Sequence, residues 1–499
     1  MIKIFTALFF GSLNVISFSP YNFWPASIIS IFGLLIITTN CKNLINSAKL
    51  GFLWGIGNFF NEIYWIYISI NKFFGINLFF SIIIILLLSS YLSLYPTIFV
   101  ILTKFFFPKI NFFLFCVGAP SAWMISEILR SKILTGFPWL EIGYSQINGP
   151  LKGLAPIIGV SGISYILIII SGMCVLSFYK KSYYPIIFII FIITLTYPLN
   201  FFKWYSVKEK STKIALIQGN ISQHTYIDNN QIQKNLEQYL KITKKIINSS
   251  NIIIWPESAI PCDEISCRNF LLKIDKELKL KKSYLITGII SLKKSNYYNS
   301  IITLGGNSPY LDNSKNKYYK YNLVPFGEKL PLKSILNPIF NKLGLSLIDL
   351  KKGDFFQNQL KIFDFNIVPS ICYEIIFGDR IRKNVKINTD FLLTISNDSW
   401  FGDSIGPWQH FNMARMRALE TGKNLLRASN NGITAIIGPN GELKSKLPQF
   451  VNDFLLEEVF STMGVTPYVK FGNIPLLFFS IICFIISFFI KIKLIFLKN

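Results

Sequence analysis

The feature that most constrains this chain is its series of long apolar segments. A helix that crosses a bilayer needs about 20 apolar residues. Candidate spans lie near 3–19, 24–40, 50–70, 78–107, 111–128, 155–178 and 184–202, with one more at 473–492. The polar stretch 211–470 separates the last two. The pattern predicts a membrane domain of seven helices over 1–205, a separate folded domain over 211–470, and an eighth helix with a short tail over 471–499. The first segment does not read as a removable signal peptide. It lacks a small-residue cleavage site and runs into Phe18-Ser-Pro-Tyr-Asn-Phe-Trp-Pro25, a tight turn.

Loop lysines set the expected orientation. One set of alternate loops holds Lys3; Lys42 and Lys49; Lys104 and Lys109; Lys180 and Lys181; and Lys491, Lys493 and Lys498. The other holds only Lys72, Arg130, Lys132 and Lys152. The richer set is expected in the cytoplasm with both termini. The polar domain then lies on the far side, which in a Gram-negative cell is the periplasm.

Only 15% of residues are charged, against roughly 25% in a soluble globular chain. A disordered chain, a fibre and a small disulfide scaffold are excluded. The net charge of +24 comes from lysines scattered or placed beside apolar spans. It suits attraction to anionic lipid head groups. No nucleic-acid-binding motif accompanies it, so nucleic acid is not an expected partner. The seven cysteines include no CxxC pair, and the histidines are only His224 and His410. No metal site is expected. Cys262 and Cys267 are close enough in sequence for a disulfide, but two free thiols are the default expectation.

The polar domain reads as alternating strands and helices. Strands are expected at Lys213–Gln218, Asn251–Trp255, Tyr284–Gly288, Phe365–Ile371, Phe391–Ser396 and Ile433–Ile437. Ser300–Leu304 and Lys317–Tyr321 flank Gly305-Gly306-Asn307 as a hairpin. Helices are expected over Asn229–Ser249 and Gln409–Asn424. Such alternation argues a layered α/β fold. Leu330–Phe356 is rich in apolar residues, among them Leu336, Leu343, Leu345 and Ile348, and is broken by Pro and Gly. It reads either as core packing or as a mobile amphipathic flap at a membrane surface.

Three polar residues fall where apolar strands end: Glu257, Lys320 and Cys372. In layered α/β folds, strand ends are where side chains converge on a ligand. A thiolate attacks a carbonyl carbon, a carboxylate takes its proton, and an ammonium stabilises the oxyanion. Each also has a plain reading: Cys372 as inert packing, Lys320 as a surface charge, Glu257 as a helix cap. His410 reads as structural.

Trp255-Pro-Glu-Ser-Ala-Ile-Pro261, Lys320-Tyr-Asn-Leu-Val-Pro-Phe-Gly-Glu328 and Ser370-Ile-Cys-Tyr-Glu374 together resemble the Glu–Lys–Cys signature of the nitrilase (carbon–nitrogen hydrolase) superfamily. Phe18–Pro25, Gly136-Phe-Pro-Trp-Leu140, Gly143-Tyr-Ser-Gln146, Asn397–His410, Met413–Glu420 and Asn430-Asn-Gly-Ile-Thr434 resemble the apolipoprotein N-acyltransferase family within it. The likeness runs from the first span to the last. It implies an eight-span membrane domain carrying a periplasmic αββα nitrilase-like domain. The implied reaction moves an acyl chain from a phospholipid, typically phosphatidylethanolamine, to the α-amino group of the S-diacylglyceryl-cysteine at an apolipoprotein N-terminus. Carried over by motif, Cys372 is the nucleophile, Glu257 the general base and Lys320 the oxyanion stabiliser. Glu328, Tyr373 and Glu374 match supporting residues. No metal or organic cofactor is implied, and the implied partners are the lipid donor, the lipoprotein acceptor and the bilayer. The family often carries a Trp shortly after the Gln218-Gly-Asn220 turn. Tyr226 and Ile227 stand there instead, which touches a substrate-positioning contact and not the triad.

Alternative classes are a membrane-anchored amidase or nitrilase that releases its acyl group to water, a transporter, and an inactive scaffold. Few ionisable residues lie in the spans, Glu62 being one, which weighs against transport. The complete Glu257–Lys320–Cys372 set weighs against a scaffold.

Overall fold

A computed structural model of the chain describes residues 1–222, 229–306, 310, 314–342 and 349–496. It divides into two compact units. One comprises Met1–Phe202, Asp403–Asn412 and Lys470–Asn499, and the other Lys203–Gly402 and Met413–Val469.

The first unit is helical: α1 (Ile2–Leu13), α2 (Pro25–Thr39), α3 (Leu44–Ile63), α4 (Ile66–Phe74), α5 (Leu78–Phe106), α6 (Ala119–Lys132), α7 (Ala155–Lys180) and α8 (Tyr184–Thr196). Among the described residues, four helices are long and apolar enough to cross a membrane: Leu78–Phe106, Lys152–Lys180, Tyr184–Phe201 and Ile474–Lys491. Small residues let α1 and α3 touch at backbone distance. A Cβ on Gly57 would lie 2.3 Å from the Leu8 carbonyl oxygen, and one on Gly11 would lie 2.0 Å from that of Trp54. The apolar stretch 50–70, expected as one span, is instead broken between α3 and α4. The Glu62 carbonyl, near the end of α3, accepts from Gln409 Nε2 at 3.2 Å. Gln409 Oε1 in turn accepts from the indoles of Trp65 (3.1 Å) and Trp139 (3.0 Å). A side chain thus takes the bond that the next helical turn would have made. His410 lies nearly parallel to the Trp139 ring, 6.1 Å between centroids. Glu62 is buried, with Asn14 Nδ2 donating to it at 3.2 Å.

The second unit holds two six-stranded sheets. The first orders its strands β12 (Asp453–Met463), β1 (Ser206–Gln218), β2 (Ile252–Ile254), β3 (Tyr284–Lys293), β4 (Asn296–Gly305) and β5 (Tyr318–Tyr319). The second orders β11 (Leu443–Lys446), β10 (Ala435–Ile437), β9 (Asn424–Ser429), β8 (Phe391–Ser396), β7 (Phe365–Ile371) and β6 (Leu360–Ile362). β1, β2 and β3 run parallel, as do β7, β8 and β9. The period-2 alternation of strand side chains sorts the core. Ile214, Leu216, Ile252 and Ile254 pack with Ile367, Ile371, Leu393 and Ile395 of the second sheet. Their neighbours Ala215, Ile217 and Ile253 pack with Tyr239 and Ile242 of α9 (Asn229–Ile246) and Leu271 and Ile274 of α10 (Arg268–Leu280). The later helices are α11 (Lys333–Lys342), α12 (Gly378–Asn384), α13 (Gly406–Thr421), α14 (Pro467–Phe471) and α15 (Ile474–Phe496).

Three sequence expectations need correction or completion. The helix expected over Gln409–Asn424 stops at Thr421, because Gly422 takes φ +66° and Asn424 begins β9. Apolar Leu425 and Leu426 continue a helix-like spacing after Leu419, which hides the change. Cys262 and Cys267, expected as free thiols, form a disulfide with Cα atoms 6.0 Å apart. The turn at Asp263 brings them together, its Oδ1 accepting from the backbone N–H groups of Ile265 and Ser266, each at 3.0 Å. The strand pair flanking Gly305 and Gly306 is antiparallel, Ser300 opposite Tyr319, whereas Asn307 lies outside the described residues. So do His224, Tyr226, Ile227, Leu343, Leu345 and Ile348. Elsewhere in Leu330–Phe356, Leu330 and Leu350 are buried while Leu332, Ile335 and Phe356 are exposed.

Ile367→Ala, in the middle of the inter-sheet core, is expected to cost about 2–5 kcal/mol. A lowered midpoint of thermal unfolding in detergent, without altered secondary structure at low temperature, checks it.

Candidate active site

The parallel strands of both sheets end on one cluster. β2 is followed by Trp255, whose N–H donates to Ile286 of β3 at 2.9 Å, and so delivers Glu257. β3 comes very close here. A Cβ on Gly288 would lie 2.9 Å from the Glu257 Cα, so glycine makes room for the carboxylate's backbone. β5 delivers Lys320, its N–H held by the Asn299 carbonyl at 2.8 Å. β7 ends at Ile371, and Cys372 follows with φ +51°, at the start of a 3₁₀ turn through Ile376. A left-handed non-glycine residue costs on the order of 1–3 kcal/mol and survives only where its surroundings hold it. No helix starts at Ser258, so Glu257 is not a helix cap.

Glu257 and Lys320 are bonded directly. Lys320 Nζ donates to Glu257 Oε1 at 3.2 Å and to Glu328 Oε1 at 2.9 Å. Lys320 is 1% exposed, so its charge has protein partners instead of water. Burial alone would lower its pKa, but Glu257, Glu328 and Cys372 together hold it well above the ordinary lysine value. Glu257 Oε2 accepts from the Asn397 backbone N–H at 3.1 Å. Cys372 is buried too, at 8% exposure. Burial first, then the Glu257 charge, push its thiol well above the usual cysteine range, and Lys320 pulls it partly back. The balance favours the neutral thiol over the thiolate.

The supporting residues divide by role. Glu328 shares Lys320, and its other oxygen accepts from the Val324 N–H at 2.8 Å, closing the loop between them. Glu374 is fully buried. Its Oε1 accepts from the N–H groups of Tyr321 (2.7 Å) and Asn322 (3.1 Å), and its Oε2 from Ile371 N–H (2.9 Å) and the Tyr318 hydroxyl (2.6 Å). Arg380 pairs with it at 3.3 Å. Glu374 thus ties the segment after Lys320 to the strand end before Cys372. Tyr373 packs edge-on against Phe377, ring centroids 5.2 Å apart.

Sequence reasoning missed Asn299. It sits in β4 and splits its two amide protons between Glu257 Oε1 (2.8 Å) and Glu328 Oε1 (2.7 Å). Both carboxylates are thereby held against the one ammonium. The available signal was an asparagine inside an apolar strand, where that residue is depleted. Among the described residues no group of acidic, His and Cys side chains is arranged to hold a metal ion.

Residues 10–173 match the family model described as apolipoprotein N-acyltransferase N-terminal domain, and residues 213–468 match that of carbon-nitrogen hydrolase. The chain is 38% identical to the apolipoprotein N-acyltransferase of Photobacterium profundum, over 94% of this chain and 92% of that protein. It is 38% identical to the protein of that name from Haemophilus influenzae, over 97% and 94%. Similar solved structures include the Caenorhabditis elegans NitFhit protein (TM-score 0.39, 15% identity, 53% of this chain and 64% of that one). Another is Saccharomyces cerevisiae Nit3, a nitrilase-superfamily member (TM-score 0.37, 16% identity, 55% and 97%).

Asn299→Leu keeps the number of side-chain heavy atoms but leaves the Glu257 and Glu328 oxygens each short of a donor. An unpaired buried acceptor costs about 1–3 kcal/mol, so a drop in catalytic rate of roughly tenfold or more is expected with the fold retained. Steady-state kinetics beside circular dichroism checks it.

Proposed function

This chain belongs to the apolipoprotein N-acyltransferase family, and from that premise we propose that it carries an acyl chain through a thioester on Cys372. It is an acyltransferase of the carbon–nitrogen hydrolase superfamily. In the proposed reaction a phospholipid, phosphatidylethanolamine by preference, donates the chain. The α-amino group of an apolipoprotein's N-terminal S-diacylglyceryl-cysteine receives it. The observation that carries this reading is the buried Glu257–Lys320 ion pair within electrostatic reach of Cys372.

Glu257 takes the proton of the Cys372 thiol, and the sulfur attacks the ester carbonyl. Lys320 and the Tyr373 backbone N–H face the developing oxyanion. Collapse expels a lysophospholipid, whose departing oxygen takes the proton back from Glu257, and leaves the thioester beside a Glu257 carboxylate. The lipoprotein amine then attacks, Glu257 takes a proton from it, and the thiolate leaves. Every step is acid–base or nucleophilic chemistry available to these side chains. Glu328 and Asn299 hold the ion pair in register, and Glu374 holds the two segments that carry Lys320 and Cys372.

We place the helical unit in the inner membrane of a Gram-negative cell with eight spans, the sheet unit in the periplasm and both termini in the cytoplasm. The lysine asymmetry of alternate loops and the four long apolar helices support this placement. The exposed Phe326, Leu332, Ile335 and Phe356 flank Glu328 in sequence and suit a flap that meets lipid. A hydrolase reading uses the same triad but gives no reason for a full-length likeness to acyltransferases.

The test is mass spectrometry of the purified protein after incubation with phosphatidylethanolamine and no acceptor. A hydroxylamine-labile acyl mass on the Cys372 peptide is expected, discharged by a diacylglyceryl peptide. Cys372→Ala should abolish both. Phospholipid consumption without any adduct would rule out the covalent carrier.

A further inference from the structure

Cys372 has a neighbour that the motifs do not assign. Ser396 ends β8 and is fully buried. Its Oγ lies 3.6 Å from Cys372 Sγ and 2.5 Å from Asp398 Oδ1. A hydroxyl carries one proton and two lone pairs, so it donates to one of these partners at a time. Asp398 is a fixed anion. Arg427 NH2 pairs with its Oδ2 at 2.8 Å, and Ser429 Oγ donates to the same atom at 3.0 Å. A Cβ on Gly432 would lie 2.0 Å from that oxygen, so the carboxylate is confined. The short contact to a charged acceptor holds the hydroxyl proton while the sulfur is a thiol. The thiol then faces an oxygen lone pair. Once the sulfur has lost its proton, the same lone pair faces a thiolate, and the contact is repulsive until the hydroxyl turns.

We propose that Ser396 is a two-position hydroxyl that donates to Asp398 while Cys372 is a thiol or a thioester, and to Cys372 Sγ whenever that sulfur is a thiolate. This deepens the reading of Cys372 as nucleophile and rests on it. The balance is simple. The S–H bond breaks and its proton goes to the Glu257 carboxylate. Ser396 keeps its own proton and only rotates about Cβ–Oγ. Asp398 loses one donor for that interval and keeps Arg427 and Ser429. A thiolate arises twice per cycle, before attack on the ester and on expulsion by the amine, so Ser396 serves both half-reactions.

The charged groups facing the sulfur come from several elements. Glu257 follows β2, Lys320 follows β5 with Glu328 beside it, and Asp398 follows β8 with Arg427 of β9 behind it. Glu257 and Asp398 disfavour the thiolate, while Lys320 and the Ser396 hydrogen bond favour it. Removing the hydroxyl leaves Lys320 as the remaining stabiliser among these groups, so the thiol must titrate at higher pH.

The experiment follows the rate of Cys372 alkylation by iodoacetamide against pH in the full-length protein, read by mass spectrometry, beside both half-reaction rates. Ser396→Ala is expected to move the alkylation profile alkaline by about one unit and to slow each half-reaction about tenfold. Ser396→Thr keeps a hydroxyl and is expected to restore both. Ser396→Gly, a second hydroxyl-free variant, should repeat the alkaline shift if alanine disturbs packing. Ser396→Ala with the native profile overturns the proposal, whether its rate is native or reduced. A folded Ser396→Thr that restores nothing also overturns it. Acyl transfer surviving in Cys372→Ala would instead remove the nucleophile reading itself, and an inactive Cys372→Ala beside an unaltered Ser396→Ala removes only the role of Ser396.

Discussion

A buried ammonium has to be paired, and in this protein the pairing of Lys320 organises everything around it. Its Nζ lies 3.2 Å from Glu257 and 2.9 Å from Glu328. Two carboxylates around one cation repel each other unless something holds both in place. Asn299 does so with one amide proton for each. The arrangement leaves one more negative charge than positive at the site. Moving a proton from sulfur to Glu257 shifts that surplus from oxygen to sulfur without changing the total. Lys320 faces both ends of the transfer, so the ion pair that stabilises the resting site also stabilises the activated one.

This arrangement requires three chain segments to arrive together from far apart in sequence. Two face-to-face sheets achieve it. Parallel strands β1 to β3 and β7 to β9 each point their ends at the same region, and the core between them fixes their spacing. The residual freedom lies in the loops, and Glu374 removes it. One carboxylate accepts from backbone on both sides of the gap, at Ile371 before Cys372 and at Tyr321 and Asn322 after Lys320. This bracing explains a fully buried acid two residues from Cys372. It also accounts for the left-handed backbone at Cys372, which needs both neighbours held.

The strands that carry Glu257 and Cys372 were legible because each is a short apolar run with a polar residue at its end. The convergence of Glu257, Lys320 and Cys372 was legible only through the order of their motifs, since the three are individually ordinary. Asn299 and Ser396 were not legible. Each is a small polar residue inside a buried strand, and only the facing sheet or the next strand supplies the partner that gives it meaning. The overshoot of α13 past Thr421 has a similar origin. Local spacing favours continuing the helix, but pairing of β9 with β8 takes the chain from Asn424. The disulfide between Cys262 and Cys267 depended on a side-chain turn at Asp263 that spacing alone does not encode.

What separates acyl transfer from hydrolysis is not in the triad, which both chemistries share. A thioester on Cys372 would be attacked by whichever nucleophile reaches it. The sulfur, the base and the ammonium are all buried among protein groups. The exposed Phe326, Leu332, Ile335 and Phe356 would offer apolar surface to a lipid-bearing amine. On the proposed mechanism, partition would favour the acceptor that brings its own hydrocarbon. The same burial that disfavours the thiolate would also shield a thioester formed there. A site that needs a general base to wake its nucleophile is also one from which stray nucleophiles are excluded.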